Sequence, residues 1–300
     1  MSSYVRLLKE KNKIQPPKWL PDNVMFEAIT GSVAYGVSND TSDMDIVGFC
    51  MPPVDTLFPH LAGEIYGFGN QVQRFEQFQQ HHVELKEMNK EFDITIYSIV
   101  KFFQLAMENN PNMVDVLFVP RRCVLFSSAV YELTRENRHI FLHKGCWPKF
   151  KGYAYSQLRK MDSGTTNKLN PARADSINRF GYDTKFGYHL IRLLLEVEQI
   201  LTEHDLNLEK NSEVLKSIRA GLWSKEKLIN WFSEKEADLE KVYNTSTLPY
   251  TPNEYAIKQL LLECITMHYG KIPSELKVES KAESLINELK VLVDKYEQRH

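Results

Sequence analysis

Two short runs hold the residue types that phosphate chemistry needs. Gly31-Ser32-Val33-Ala34-Tyr35-Gly36 follows directly on a strand-like run at 24–30, and six residues after Gly36 comes Ser42-Asp43-Met44-Asp45-Ile46-Val47-Gly48. An abrupt turn at Gly31 would aim successive backbone N–H groups outward, the geometry that binds phosphate oxygens. Asp43 and Asp45 lie two apart between apolar neighbours, so both point to one side of a second strand. Two ionised carboxylates held side by side repel each other, and burial raises that cost, so the pair makes most sense with a divalent cation between them. Oxygen-only donors favour Mg²⁺ or Mn²⁺.

The elements that must position these residues follow from the pattern around them. Strand-like runs at 24–30, 43–50 and 92–97, with helical patterns between and after, predict an α/β module whose acidic residues gather on one edge of a mixed sheet. Residues 1–23 begin with a short helical pattern and end in Pro16-Pro17 and Pro21, which break helix; they read as an arm leading into the module. Residues 24–126 form the α/β unit. The stretch 58–89 is the least legible: glycines interrupt it early, and 71–82 is polar with scattered apolar residues, consistent with a hairpin flap or a helix. Residues 99–107 are helical in period, Asn109-Asn110-Pro111 stops them, and 114–119 is a further apolar run.

From 127 to 300 the pattern is helical, as in a bundle. Dense Leu and Ile recur at helical spacing over 185–203, 225–242 and 254–268, with Leu248-Pro249-Tyr250-Thr251-Pro252-Asn253 as linker and cap. A last amphipathic stretch, 280–300, is expected to pack on the bundle or on a second copy, which would make a homo-oligomer through that helix.

Composition narrows the partners. With 43% hydrophobic and 25% charged residues the chain reads as an ordinary globular protein. A formal net charge of −2 gives no global attraction to a polyanion, so any nucleic acid must be held by a local basic patch. Cys50, Cys123, Cys146 and Cys264 are scattered, which suits free thiols in a reducing compartment. No run approaches the roughly 18 apolar residues of a membrane span, and the basic N-terminus has no apolar stretch behind it. A cytoplasmic protein without membrane contact is expected.

An apolar residue, Gly-Ser, ten intervening residues and Asp-x-Asp between apolar residues resemble the signature of the DNA polymerase β nucleotidyltransferase superfamily. The longer form here, Gly-Ser-x-Ala-Tyr-Gly followed by Ser-Asp-x-Asp-x-x-Gly, is similar to its bacterial and phage branch of predicted nucleotidyltransferases. Later segments agree: Asp93-Ile94-Thr95-Ile96-Tyr97, Asn110-Pro111, Tyr182-Asp183-Thr184-Lys185 with His189 and Arg192, Ile218-Arg219-Ala220-Gly221, and Leu248-Pro249. The resemblance spans about residues 26–270 and implies the α/β nucleotidyltransferase fold, a mixed sheet with flanking helices, followed by an α-helical bundle domain.

It also implies chemistry: transfer of NMP from an NTP to an acceptor hydroxyl, with pyrophosphate released and two Mg²⁺ or Mn²⁺ ions held by three carboxylates. Asp43 and Asp45 fill two of the three places. Asp93 is the choice for the third, because Phe92, Ile94 and Ile96 would face a core while Asp93, Thr95 and Tyr97 face the other way; Glu91 shares that face and remains an alternative. Gly31 and Ser32 are assigned to the β- and γ-phosphates, with Ser42 as an extra donor. Lys185, His189 and Arg192 fall at i, i+4 and i+7 on one helix face among apolar residues. Solvation is the usual reason for such a stripe, but its match to the family's second motif assigns Lys185 and Arg192 to the triphosphate and leaves His189 as ligand or core residue. Tyr182 and Asp183 are candidates for base or ribose contacts.

Two other clusters carry a plainer reading. His81-His82 reads as part of a polar loop, since adjacent histidines on a strand face opposite sides and no second ligand pair sits at zinc spacing. Lys144, Lys149 and Lys151 among Trp147, Phe150, Tyr153 and Tyr155 read first as an interdomain surface and second as a stacking platform for nucleic acid. The acceptor is RNA, protein or a small molecule. The non-enzymatic alternative is a nucleotide-binding regulatory protein without turnover, which would have no need of two adjacent repelling carboxylates.

Overall fold

The structure, a computed structural model of the 300-residue chain, describes residues 3–38, 44–62, 65, 74–85, 90–162, 171–270 and 289. Its centre is a five-stranded mixed sheet built from β1 (Val24–Ile29), β2 (Met44–Cys50), β3 (Gln77–Leu85), β4 (Lys90–Ser98) and β5 (Val124–Ser127), in the order β3-β4-β2-β1-β5. Only β2 and β4 pair in parallel; the other three pairings are antiparallel. The strands expected at 24–30, 43–50 and 92–97 are present. The uncertain stretch 71–82 contributes the start of β3, which is strand from Gln77 onward.

Alternation in β2 and β4 sorts their side chains onto two faces. Phe92, Ile94 and Ile96 are fully buried on one, beside Ile46 and Cys50, and the arm covers them. Helix α1 (Tyr4–Glu10) places Val5 and Leu8 in this layer, and Ile14 and Leu20 extend it. The arm is thus half of a core. It is also tied by a buried acid: both carboxylate oxygens of Glu27 accept the first backbone N–H groups of α1, from Tyr4 at 2.6 Å and Val5 at 3.0 Å. Negative charge at a helix N-terminus is favourable, yet burial dominates and pushes the Glu27 carboxyl up to about 7.

On the opposite face Phe49 meets Phe102 of α4 (Ile99–Met107), with ring centroids 4.9 Å apart. Ser98 caps α4, accepting from the Lys101 N–H, and Asn110 caps α5 (Pro111–Leu117), whose first helical residue is proline, a position where its missing N–H costs nothing. The apolar run 114–119 is therefore the buried side of a helix. Between α1 and α4 the chain also forms two single helical turns, α2 (Gly31–Ala34) and α3 (Val54–Leu57). After α5 come α6 (Ala129–Glu136), α7 (Cys146–Asp162), α8 (Pro171–Phe180) and the 20-residue α9 (Thr184–Glu203). α10 (Ser212–Arg219), α11 (Lys225–Thr245) and α12 (Glu254–Tyr269) complete the described helices.

One apolar cluster runs from Phe26 and Phe49 on the sheet through Phe141 and Phe150 to Leu194 and Leu260. Across the expected boundary at 126/127, Tyr131 of α6 stacks on Phe26 with centroids 3.8 Å apart. The boundary marks a change of secondary structure, and the core is continuous through it. All four cysteines are buried free thiols, and among the described residues no helix is long and apolar enough to cross a membrane. The expected helix at 280–300, apart from Leu289, lies outside the described residues.

Candidate active site

The parallel pairing of β2 with β4 decides the site. It sets Asp45 opposite Asp93 and Val47 opposite Thr95, so one sheet face presents two half-buried carboxylates at its end with Val47 and Thr95 behind them. Asp43 and Ser42, the other expected ligand and donor, lie outside the described residues. Next to Asp45 the chain leaves β1 and turns at Gly31, whose φ of +64° is the left-handed conformation that favours glycine. A Cβ on Gly31 would sit 2.4 Å from Asp45 Oδ2, so a larger residue there would displace that carboxylate. Thr30 N–H donates to the Asp45 carbonyl at 2.8 Å, which locks the turn to the carboxylate strand. Gly31 then opens α2, whose first N–H groups have no partner within the helix.

These residues border a cavity of about 490 Å³ between the sheet face and the helices. Thr30, Gly31, Asp45, Thr95 and Tyr97 form one wall; Asn112 and Asp115 of α5, Tyr153, Gln157 and Lys160 of α7, and His189 and Arg192 of α9 form the other. Ser32 is half-buried beside it without lining it. The charged residues of the far wall are Lys160 and the paired Arg192 and Asp115. Burial, reinforced by Arg192, Lys185, Arg219 and Lys160, holds the His189 imidazole well below its ordinary value, so it lines the cavity as a neutral ring.

The stripe on α9 does not act as a unit. Lys185 is exposed and outside the lining, while Arg192 is buried and committed. Arg192 Nη1 donates to Asp115 Oδ2 at 2.5 Å, to Tyr35 Oη at 2.8 Å and to Glu196 Oε1 at 3.0 Å, and its guanidinium lies over the Tyr35 ring. Tyr35 Oη in turn donates to Asp115 at 2.6 Å. Burial pushes both acids upward against the pull of Arg192, Glu196 well above its ordinary range. Triphosphate was the partner expected for Arg192; its partners here make it the anchor of the turn that carries Gly31, through Tyr35 of the same motif. Arg122 and Arg219 hold that turn from two further sides, donating to the carbonyls of Val33 at 2.8 Å and Val37 at 2.5 Å.

Tyr182 and Asp183 are structural. Tyr182 is buried and donates to the Trp223 carbonyl at 3.0 Å, and Asp183 caps α9 by accepting from the Lys185 N–H. The lysine cluster is also spent internally: Lys144 is buried against Tyr250, and Lys151 pairs with Glu236 and Glu240 at 2.8 Å each. The interdomain reading of that cluster fits these contacts, although Tyr153 from it reaches the cavity.

The histidines depart from the expectation of opposite faces. Register between β3 and β4 shifts between Gln80 and Val83, and His82 adopts φ +55°. This bulge sets two residues of β3 against Asp93 and turns both toward it. His82 N–H donates to Asp93 Oδ1 at 2.9 Å, His81 Nδ1 lies 3.1 Å from Asp93 Oδ2, and His82 Nδ1 pairs with Glu91. Burial raises the Asp93 carboxyl, but the His82 N–H bond and the His81 imidazole outweigh it and hold the group below the ordinary range.

Lys160, Tyr153, Asp115 and Glu196 escaped the sequence reading as site residues. Two of them left a signal: Asp115 is a lone acid inside an apolar run, and Glu196 lies one helical turn after Arg192, beyond the apolar run Leu193-Leu194-Leu195.

A mixed sheet carrying a glycine turn beside paired carboxylates, closed by helices over a cavity, defines a protein of the nucleotidyltransferase type. The sequence model of RlaP, the RNA repair pathway DNA polymerase beta family, matches residues 5–242, and the chain belongs to that family. A crystal structure of a nucleotidyltransferase-like protein from Exiguobacterium sibiricum is similar at 12% identity and a TM-score of 0.29, with 98% of this chain and 90% of that one covered. No curated protein matches the sequence significantly.

Proposed function

We propose that this protein is a metal-dependent nucleotidyltransferase that moves NMP from an NTP onto a hydroxyl at an RNA end and releases pyrophosphate. The observation that carries the reading is the register of Asp45 with Asp93, with Asp45 directly beside the Gly31 turn on the wall of a cavity that Lys160 and Arg192 line from the other side. An RNA acceptor is favoured over protein or a small molecule by the family's description as an RNA repair pathway family.

The donor set fits Mg²⁺ or Mn²⁺, since Asp45 and Asp93 offer oxygens only and Asp93 is held ionised at neutral pH. Asp45, Asp93 and, by its place in the motif, Asp43 would hold the ions. When bound, such ions neutralise charge on the phosphates and on the entering and leaving oxygens. The chain's own residues do the rest. The Gly31 turn offers N–H groups to phosphate oxygens; Lys160 and the field of Lys185 and Arg219 balance triphosphate charge; neutral His189 both donates and accepts hydrogen bonds; Tyr97 and Tyr153 give the cavity aromatic surface for base or ribose.

The test is label transfer. Each α-labelled NTP, with Mg²⁺ or Mn²⁺, is offered to RNA with free 3′ ends, to RNA with blocked ends, to protein and to small hydroxyl compounds. Label on free-ended RNA alone, lost in Asp45→Ala, is expected. Label on protein or a small compound moves the acceptor, and no label anywhere, with no nucleotide-induced rise in melting temperature, overturns the transferase reading.

A further inference from the structure

The bulge in β3 gathers more donors around Asp93 than nucleotidyl transfer requires. In a regular strand His81 and His82 would stand on opposite faces. Here two residues oppose one, and the ligand atoms of His82, Glu91 and Asp93 all lie within 4.8 Å of one another. His81 meanwhile contacts the second Asp93 oxygen at 3.1 Å. We infer that His82, Glu91 and Asp93 form a second cation site, for a borderline divalent ion of the zinc class, which shares Asp93 with the acidic edge at Asp45.

The donor types set the ion. One imidazole with two carboxylates suits Zn²⁺, whereas Mg²⁺ prefers oxygen alone and gives up water reluctantly. Three protein donors leave a coordination position for water, as in open zinc sites. His81 supplies the outer partner that orients a ligating carboxylate. Among the described residues the His82 side chain is 82% exposed, at the edge strand of the sheet.

The site stands independently of the transferase reading; the consequence of sharing rests on it. An ion on His82, Glu91 and Asp93 would draw Asp93 away from the edge beside Asp45, so zinc would oppose binding of Mg²⁺ and nucleotide there, and the opposition is reciprocal.

The experiment is equilibrium dialysis of the full chain against Zn²⁺ in millimolar Mg²⁺, with Asp45→Ala, His82→Ala and Glu91→Gln in parallel and the fold of each checked by its melting transition. The wild type should retain about one zinc, His82→Ala and Glu91→Gln should each weaken it at least about tenfold, and Asp45→Ala should leave it unchanged or tighten it, because the competing Mg²⁺ is lost. Replacement by Co²⁺ should give a visible spectrum that changes in His82→Ala. Absence of retained zinc, or the same zinc affinity in His82→Ala and Glu91→Gln as in the wild type, overturns the site. So does loss of zinc in Asp45→Ala, which places the ion on the expected Mg²⁺ ligands instead. None of these readouts depends on transfer activity.

Discussion

Two of the carboxylate pairs among the described residues solve the same electrostatic problem in opposite ways. Asp115 and Glu196 are almost completely buried and share the guanidinium of Arg192, with Tyr35 closing the network. Asp45 and Asp93 lie opposite each other on two paired strands, both half-buried, with Asp45 on the wall of a cavity and Asp93 against His81. A buried pair must carry its compensating charge within the fold, because unpaired charge out of water costs several kcal/mol. An accessible pair can take its compensation from solution. The contrast teaches which acids hold the fold and which are available to a ligand.

The comparison breaks most visibly at Asp45. Asp45→Ala should lower transfer at least about a thousandfold, the scale of several kcal/mol of transition-state stabilisation. Its unfolding free energy should stay within about 0.5 kcal/mol of wild type or rise slightly, as like-charge repulsion is relieved. Label-transfer rates and denaturant melts on the same preparation check both halves, and retained turnover would refute the ligand role.

Arg192→Ala should show the reverse order of effects. Removing one partner leaves Asp115 buried and uncompensated, at a cost of about 3–5 kcal/mol in denaturant unfolding. Adding Asp115→Asn should restore part of that loss. A loss below about 1 kcal/mol in the single variant would mean that the network does not anchor the cradle.

Glu27 is a buried acid held by backbone N–H groups in place of a cation, and it sharpens the rule. Its carboxyl is raised from 4.5 to about 7, so between those values the folded protein keeps a proton that the unfolded chain has released. Stability should therefore be full below about pH 4.5 and fall as pH rises toward 7, by roughly 3 kcal/mol in total. Glu27→Gln should flatten the profile over that window. Melts between about pH 4 and 8 on both proteins decide it, and parallel profiles would remove Glu27 as the cause.

The smallest effect separates two lysines near the far wall of the cavity. Lys160 lines the cavity and Lys185 does not, so Lys160→Ala should weaken NTP binding about five- to tenfold and Lys185→Ala less than about twofold. Isotherms with triphosphate and monophosphate should show the Lys160 loss shrinking for the monophosphate. Equal losses for the two lysines would return Lys185 to the role expected from the stripe.

What the sequence determined by itself lies in local runs. The glycine turn, the strand with Asp45, the strand with Asp93 and the long helices are each specified by residues adjacent in the chain, where period and turn chemistry act over a few positions. The alternation Phe92-Asp93-Ile94 was enough to aim Asp93 away from the arm-covered core. Tertiary structure decided everything that depends on which segments meet. The parallel register of β2 and β4, which pairs Asp45 with Asp93, arises from the order of strands in the sheet. The commitment of Arg192 arises from Tyr35 and Asp115, 157 and 77 residues away in the chain. The turning of His81 and His82 onto one carboxylate needs a bulge, and a bulge is a property of two strands together. Charges on one helix face look equivalent in sequence; burial, which only packing sets, makes Arg192 part of the fold and leaves Lys185 in water.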